Sequence, residues 1–280
     1  MSVIPHDMPN IVRSWDNVAL FYRDWGQGKP LLFLSGWTLS SEAWAYQMRP
    51  LCQRGFRCIA YDRRSHGRSS DPGRGFDYDT LANDLAAVLE ALSLTDVTLI
   101  AHSFASGEAV RYLSRYGSER ISRLLLLAPA AIPFILKTSD NPMGIDSAVL
   151  TEVRVRMLRD FPGWCDEGAQ AYFVPGTSPR IINWTIQIMT QTSLLAAAEL
   201  NRIQMTTDFR PELPGIDIPT LVVHGDRDAS APLDLTGRPA AALIPGARLE
   251  VYEGAPHGLY FTHQDRLNAE IARFALEGEE

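Results

Sequence analysis

The chain has 280 residues, of which 46% are hydrophobic, and a formal charge of -7. That size allows one large core or a core with an inserted lid, and an acidic balance free of long single-sign runs argues against nucleic acid or an anionic membrane as a partner. No apolar run approaches membrane-spanning length, and Met1-Ser2-Val3-Ile4-Pro5-His6-Asp7 carries neither a basic n-region nor an apolar h-region, so a soluble, cytoplasmic protein is expected.

Residues 12–14 and 18–25 alternate around Asp16-Asn17 and predict a hairpin opening an otherwise parallel sheet. Gly26-Gln27-Gly28-Lys29-Pro30 turns the chain into the short buried strand Leu31-Leu32-Phe33-Leu34, which ends at Ser35-Gly36-Trp37-Thr38. Ser40 or Ser41 then caps a helix through Trp44 and Met48, and residues 57–61 form the next strand. A polar loop, Asp62-Arg63-Arg64-Ser65-His66-Gly67-Arg68-Ser69-Ser70, leads to a helix that Asp79 is expected to cap and that carries Leu81, Leu85, Val88, Leu89 and Leu92. Strands at 97–101 and 124–128 flank a further helix that ends at Gly117. Strands alternating with helices of this length predict βαβ units, hence a mostly parallel sheet covered on both faces.

The rhythm stops at Pro129. From 129 to 211 the spacing is helical only, as in Met157 with Leu158 and along 181–189, and Pro133, Pro142, Pro162, Pro175 and Pro179 punctuate it. A helical cap over the carboxyl ends of the strands is expected there, with residues 1–128 and 212–280 forming the core. Strands return at 220–224 and 248–252, and a last helix runs from about 262 to 276.

One junction stands apart. The β-branched, apolar strand 97–101 breaks at His102-Ser103 and resumes at once as a helical pattern in Glu108, Ala109, Val110, Tyr112 and Leu113. A strand that becomes a helix within two residues strains the residue between them, which requires small neighbours two positions either side, here Ala101 and Ala105. This is a relaxed G-x-S-x-G nucleophile elbow, with alanine in the glycine places. A serine that merely caps a helix would look similar, so the later chain decides. The strand at 220–224 runs into Gly225-Asp226-Arg227-Asp228, and that at 248–252 into Glu253-Gly254-Ala255-Pro256-His257-Gly258. A serine, an aspartate and a histidine thus each follow a core strand, in the order a hydrolase triad requires.

Ser103 is assigned as nucleophile, His257 as general base and then acid, and Asp228 as the carboxylate that orients the imidazole. Asp226 is the competing acid, but beside Gly225 it suits a loop brace that accepts backbone N–H groups. The backbone N–H groups of Trp37 and Phe104 are the expected oxyanion donors. Trp37, Phe104, Phe134 and Trp164 are the candidate pocket walls, which implies a small apolar or aromatic substrate. His102 should point away from Ser103, His224 should brace a loop, His66 and His263 should lie at the surface, and disorder is the expectation for the N-terminal His6. Cys52, Cys58 and Cys165 have no metal-ligand spacing and fit reduced thiols; no metal site, cofactor motif or phosphate loop is found, and homo-oligomerisation is left open.

With these residues placed, the chain resembles the α/β-hydrolase superfamily and, within it, the cofactor-free, non-haem chloroperoxidases, serine esterases with perhydrolase activity. The motifs that carry the resemblance run nearly end to end: Arg23-Asp24-Trp25-Gly26, Ala60-Tyr61-Asp62-Arg63-Arg64, His66-Gly67-Arg68-Ser69-Ser70, Arg115-Tyr116-Gly117-Ser118-Glu119-Arg120, and Pro219-Thr220-Leu221 through Asp226. The resemblance implies the α/β-hydrolase fold, a triad of Ser103, Asp228 and His257, and oxyanion donors at Trp37 and Phe104. It implies an ester or lactone hydrolase with weak perhydrolase activity beside it. The departures fall at the site: Ser35-Gly36-Trp37-Thr38 stands where that family shows His-Gly-Trp-Pro, and the elbow is alanine-rich. A cofactor-free dioxygenase or hydroxynitrile lyase on the same scaffold is the alternative, yet the dioxygenases carry their acid after the strand equivalent to 124–127, where this chain has Ala128-Pro129-Ala130. A binding protein that kept the fold and lost turnover is the third reading.

Overall fold

The computed structural model describes residues 10–278. It opens with the expected hairpin, β1 (Ile11–Arg13) and β2 (Ala19–Trp25), paired antiparallel. Then come β3 (Lys29–Leu34), α1 (Ala45–Gln53), β4 (Phe56–Tyr61), α2 (Tyr78–Ala91), β5 (Val97–His102), α3 (Ala105–Tyr116) and β6 (Ile121–Leu127). Four helices follow, α4 (Ser147–Arg159), α5 (Phe161–Tyr172), α6 (Pro179–Met189) and α7 (Leu194–Thr206), before β7 (Thr220–Gly225), α8 (Gly237–Leu243), β8 (Arg248–Tyr252), α9 (Leu259–Thr262) and α10 (Gln264–Ala275).

The eight strands form one sheet in the order β1-β2-β4-β3-β5-β6-β7-β8, parallel from β4 to β8. Its central strands are apolar on both faces, and alternation divides them between two cores. Leu32, Leu34, Leu99, Ala101, Leu124 and Leu126 pack under α2 and α3, whereas Leu31, Phe33, Ile100, Leu125 and Leu127 pack under α1 and α10. From β3 the chain steps outward to β4, and from β5 it steps the opposite way to β6. The crevice beyond the carboxyl ends of β3 and β5 is therefore the topological switch point, where open α/β sheets bind ligands.

Some local expectations are corrected. The cap of α2 is Asp77, in extended conformation, whose carboxylate accepts the N–H of Thr80 at 2.8 Å. The helix begins that early because Tyr78 buries its ring against Phe104 and Phe209; Asp79, inside the first turn, pairs with Arg111 and Arg115 instead. Ser40 caps a short 3-10 turn, Ser41–Trp44, that precedes α1. The final helix, α10, lies where expected, while the short α9 before it and α8 were not foreseen.

The four helices between β6 and β7 have their own small core of Met157, Phe161, Cys165 and Ala197. They are fastened to the loop after β3: the Trp37 indole donates to the Ala197 carbonyl at 3.0 Å, and the Thr192 hydroxyl to that of Thr38 at 2.9 Å. Among the described residues no helix is long and apolar enough to cross a membrane.

Candidate active site

Ser103 sits at the sharp turn between β5 and α3 with φ of 56°, a left-handed value costly for any residue with a Cβ. The turn is held by the Ser103 N–H, which donates to the Leu127 carbonyl at 2.9 Å, and by the Ser106 N–H, which donates to the Ser103 carbonyl at 3.1 Å. Ala101 and Ala105 are wholly buried on either side. The loop after β3 comes close: a Cβ added to Gly36 would stand 3.3 Å from that of Ser103 and 2.7 Å from Nδ1 of His102.

Three of the predicted residues meet here in one row. His257 Nε2 lies 2.8 Å from Ser103 Oγ, and its Nδ1 lies 2.6 Å from Asp228 Oδ2. The carboxylate fixes the proton on Nδ1, which leaves Nε2 free to accept from the hydroxyl. Asp228 is buried, which by itself opposes its charge, but the His257 imidazole and hydrogen bonds from His224 and His257 outweigh burial and hold the carboxyl below its ordinary range. Its other oxygen accepts the N–H groups of Ser230 at 2.9 Å and Ala231 at 2.7 Å. Asp226 accepts the Gly254 N–H at 2.7 Å and braces the two loops, as expected of it.

The remaining histidines divide differently from expectation. His224 does brace the loop, through the Ala231 carbonyl at 2.9 Å, but its Nε2 also stands 3.1 Å from Asp228 Oδ2, a contact that spacing along the chain does not reveal. His102 points away from Ser103, toward the His257 carbonyl at 3.3 Å. His66, expected at the surface, is 1% exposed beside Arg63, because its loop folds inward to meet the buried arginines. His263 is half-buried, and His6 lies outside the described residues.

Burial, then the adjacent charge of Arg63, brings the His66 imidazole down to about 3; burial and the charge of His257 hold His102 well below its ordinary 6.5. An unfolded chain protonates both near pH 6.5, and the fold does not. Their contribution is therefore complete above pH 6.5 and lost as the pH falls toward the folded values, for His66 about 2 kcal/mol between pH 6.5 and 5. A lower Tm at pH 5 than at pH 7 is expected, with the difference reduced in His66→Gln.

The expected oxyanion donors occupy suitable ground. Among the described residues neither the Trp37 nor the Phe104 backbone N–H has a hydrogen-bond partner. Sequence reasoning missed the residue that fixes the first of them. Arg63, 3% exposed, donates to the carbonyls of Ser35 at 2.7 Å and Gly36 at 3.4 Å, and pairs with Glu108 in the first turn of α3. The Gly36 carbonyl and the Trp37 N–H are two ends of one planar peptide, so a bond to the first constrains the direction of the second. Burial works against the Arg63 charge, and Glu108 more than compensates for it. The available signal was a pair of arginines in a loop leaving a core strand.

The cavity over Ser103 measures about 410 Å³ and is walled by Trp37, Trp164, Tyr172, Ile186, Met189 and other residues of α4 to α7. Two candidates for its wall are corrected. Phe104 turns inward, stacked on Tyr78 with Arg63 over its other face, because its side chain leaves the turn on the side opposite its N–H. Phe134 lines a neighbouring cavity of about 260 Å³. Thr38 takes φ of 59°, which a proline ring, fixed near about -65°, cannot adopt. The change from His-Gly-Trp-Pro is thus conformational as well as chemical. Among the described residues no cluster of histidine, cysteine or acidic side chains could hold a metal.

A parallel sheet with a strained serine at its switch point defines an α/β hydrolase, and the chain belongs to that family: the model described as "alpha/beta hydrolase fold" matches residues 29–264. Among its relatives, non-heme chloroperoxidase CPO-A1 of Kitasatospora aureofaciens is 39% identical over 92% of this chain and 96% of its own. A bifunctional esterase/perhydrolase of Acinetobacter calcoaceticus is 32% identical over 94% and 98%. Among solved structures, a bromoperoxidase from Bacillus anthracis superposes with a TM-score of 0.89 at 33% identity, covering 94% of this chain and 98% of that one. The protein is an enzyme of the α/β-hydrolase superfamily with esterase, perhydrolase and haloperoxidase relatives.

Proposed function

We propose that the protein is a serine hydrolase that cleaves small apolar or aromatic carboxylic esters or lactones through an acyl-enzyme on Ser103. Residues 129–211 form the cap that shapes the acyl site. The observation that carries this reading is the unbroken row from Ser103 through His257 to Asp228, with bonds of 2.8 and 2.6 Å.

Ser103 Oγ bonds to the acyl carbon as its proton passes to His257 Nε2, and Asp228 stabilises the resulting imidazolium. The carbonyl oxygen takes up the displaced electron pair and is held by the N–H groups of Trp37 and Phe104. Collapse breaks the bond to the leaving oxygen, which receives the proton from Nε2. Water then attacks the acyl-enzyme by the same route, giving the acid and regenerating Ser103. Hydrogen peroxide in place of that water would give a peracid, and the named perhydrolase among the relatives supports this as a weak second outcome.

The test is a panel of esters, lactones and thioesters, with and without peroxide, joined to labelling by a fluorophosphonate. The expected results are hydrolysis of a short p-nitrophenyl ester and a phosphonylated Ser103 peptide. Oxygen uptake on a heteroaromatic substrate without labelling would establish the dioxygenase alternative instead.

The Arg63–Glu108 pair adds a further prediction. Glu108→Leu strands a buried guanidinium and should cost about 3–5 kcal/mol, measured by urea denaturation. Adding Arg63→Met removes the stranded charge and should restore most of that stability. Ester turnover should nevertheless stay at least about 10-fold below wild type, because the Trp37 N–H is no longer held in direction and the full loss of one oxyanion donor costs about 10²–10³.

A further inference from the structure

The walls of the Ser103 cavity are apolar with few exceptions, and those exceptions are informative. Among the described residues no Lys, Arg, Asp or Glu lines it. Of its polar side chains, the Thr185 hydroxyl already donates to the Ile181 carbonyl at 2.9 Å, and the Tyr172 hydroxyl is bonded to that of Tyr260 at 2.6 Å. His102 Nδ1 and the exposed Ser230 hydroxyl also lack a partner among the described residues, but both sit within two residues of the row of three, whereas Asn201 and Gln204 come from α7. These two face the cavity three residues apart and so on one side of the helix, and among the described residues neither carboxamide has a hydrogen-bond partner. Asn201 is only 6% exposed. Gln204 is half-buried and also borders the neighbouring cavity, so both carboxamides open onto space a ligand can fill; an apolar ligand covering them leaves them unpaired, a cost that apolar residues on this helix face would avoid.

Resting on the esterase reading above, we propose that the site takes a neutral ester or lactone whose otherwise apolar body carries an amide, and that Asn201 and Gln204 hold that amide. Each carboxamide offers donors and an acceptor. A substrate amide presents its N–H and C=O in opposite directions and can engage one carboxamide with each, whereas a hydroxyl meets its partners at a single oxygen. A hydrocarbon in the same place leaves both carboxamides unpaired, the situation in which polar sites discriminate most strongly. The absence of charged walls excludes carboxylate- or ammonium-bearing substrates held by an ion pair.

The test compares p-nitrophenyl acylaminoalkanoates, their amide moved one methylene at a time, with p-nitrophenyl alkanoates of equal chain length. Wild type should show kcat/KM at least about 10-fold higher for the amide ester at one spacing, and Asn201→Leu and Gln204→Leu should bring that ratio to about 1 or below. A plain apolar cavity gives the opposite order, because the amide is the harder group to remove from water. Alkanoates preferred at every spacing would overturn the inference while leaving the esterase reading standing, as would an amide preference that survives in both variants. Calorimetric binding of the same ester pairs to Ser103→Ala makes the comparison without turnover. The inference can then be decided even if hydrolysis fails or a leucine variant does not fold.

Discussion

Ser103→Ala is expected to leave the protein folded and to lower kcat on a p-nitrophenyl ester by about 10⁶, the scale on which a serine triad fails when its nucleophile is removed. The structure separates the two halves of that outcome. Stability depends on the Ser103 backbone, whose N–H donates to Leu127 and whose carbonyl accepts from Ser106, and alanine keeps both bonds. Alanine at φ of 56° pays a similar steric cost to serine, so the Tm should move by little. Chemistry depends on Oγ, 2.8 Å from the nitrogen that takes its proton. A general base acting directly on water would survive the substitution, and so would a site that only binds. Initial rates with Tm measured on the same sample make the test; a folded variant with unchanged turnover would remove the acyl-enzyme from consideration.

The sheet and the row of three were legible for a physical reason. Strands buried on both faces appear as continuous apolar runs, and two of them lead into Ser103, after β5, and Asp228, shortly after β7; the edge strand β8, Arg248-Leu249-Glu250-Val251-Tyr252, is only partly buried and leads to His257. Contacts across the chain were not legible. Arg63 and Glu108 stand 45 positions apart in the chain, and only folding shows that the loop at 62–70 turns inward and buries His66 with them. Phe104 shows a second limit, because its backbone serves the site while its side chain joins the core under Tyr78 and Arg63. Helical spacing in the segment between β6 and β7 marks apolar faces without saying which face covers a cavity. Trp164 lines the Ser103 cavity from α5, Phe134 lies in the non-helical stretch before α4 beside another cavity, and Asn201 drew no attention at all.

Asp228→Asn should lower kcat by about 10⁴, and Asp226→Asn by less than about 3-fold, well under the effect of any catalytic group. The difference follows from what each oxygen touches. Oδ1 of Asp228 accepts two backbone N–H groups, from Ser230 and Ala231, so an asparagine there must keep its carbonyl oxygen in that place. Its NH₂ then replaces Oδ2 and faces His257 Nδ1, at 2.6 Å, and His224 Nε2, at 3.1 Å. Two donors cannot share that contact, so His257 must move its proton to Nε2, where it faces Ser103 Oγ and can no longer accept. His224 cannot relieve the conflict with the same nitrogen, because its Nε2 also donates to the Ala231 carbonyl at 2.9 Å. Asp226 only accepts, from Gly254 N–H, a task an asparagine carbonyl performs equally well. Measured kcat for the two variants, with KM recorded separately, decides the acid: equal losses would show that Asp228 does not orient His257, and a larger loss at position 226 would transfer that role to Asp226.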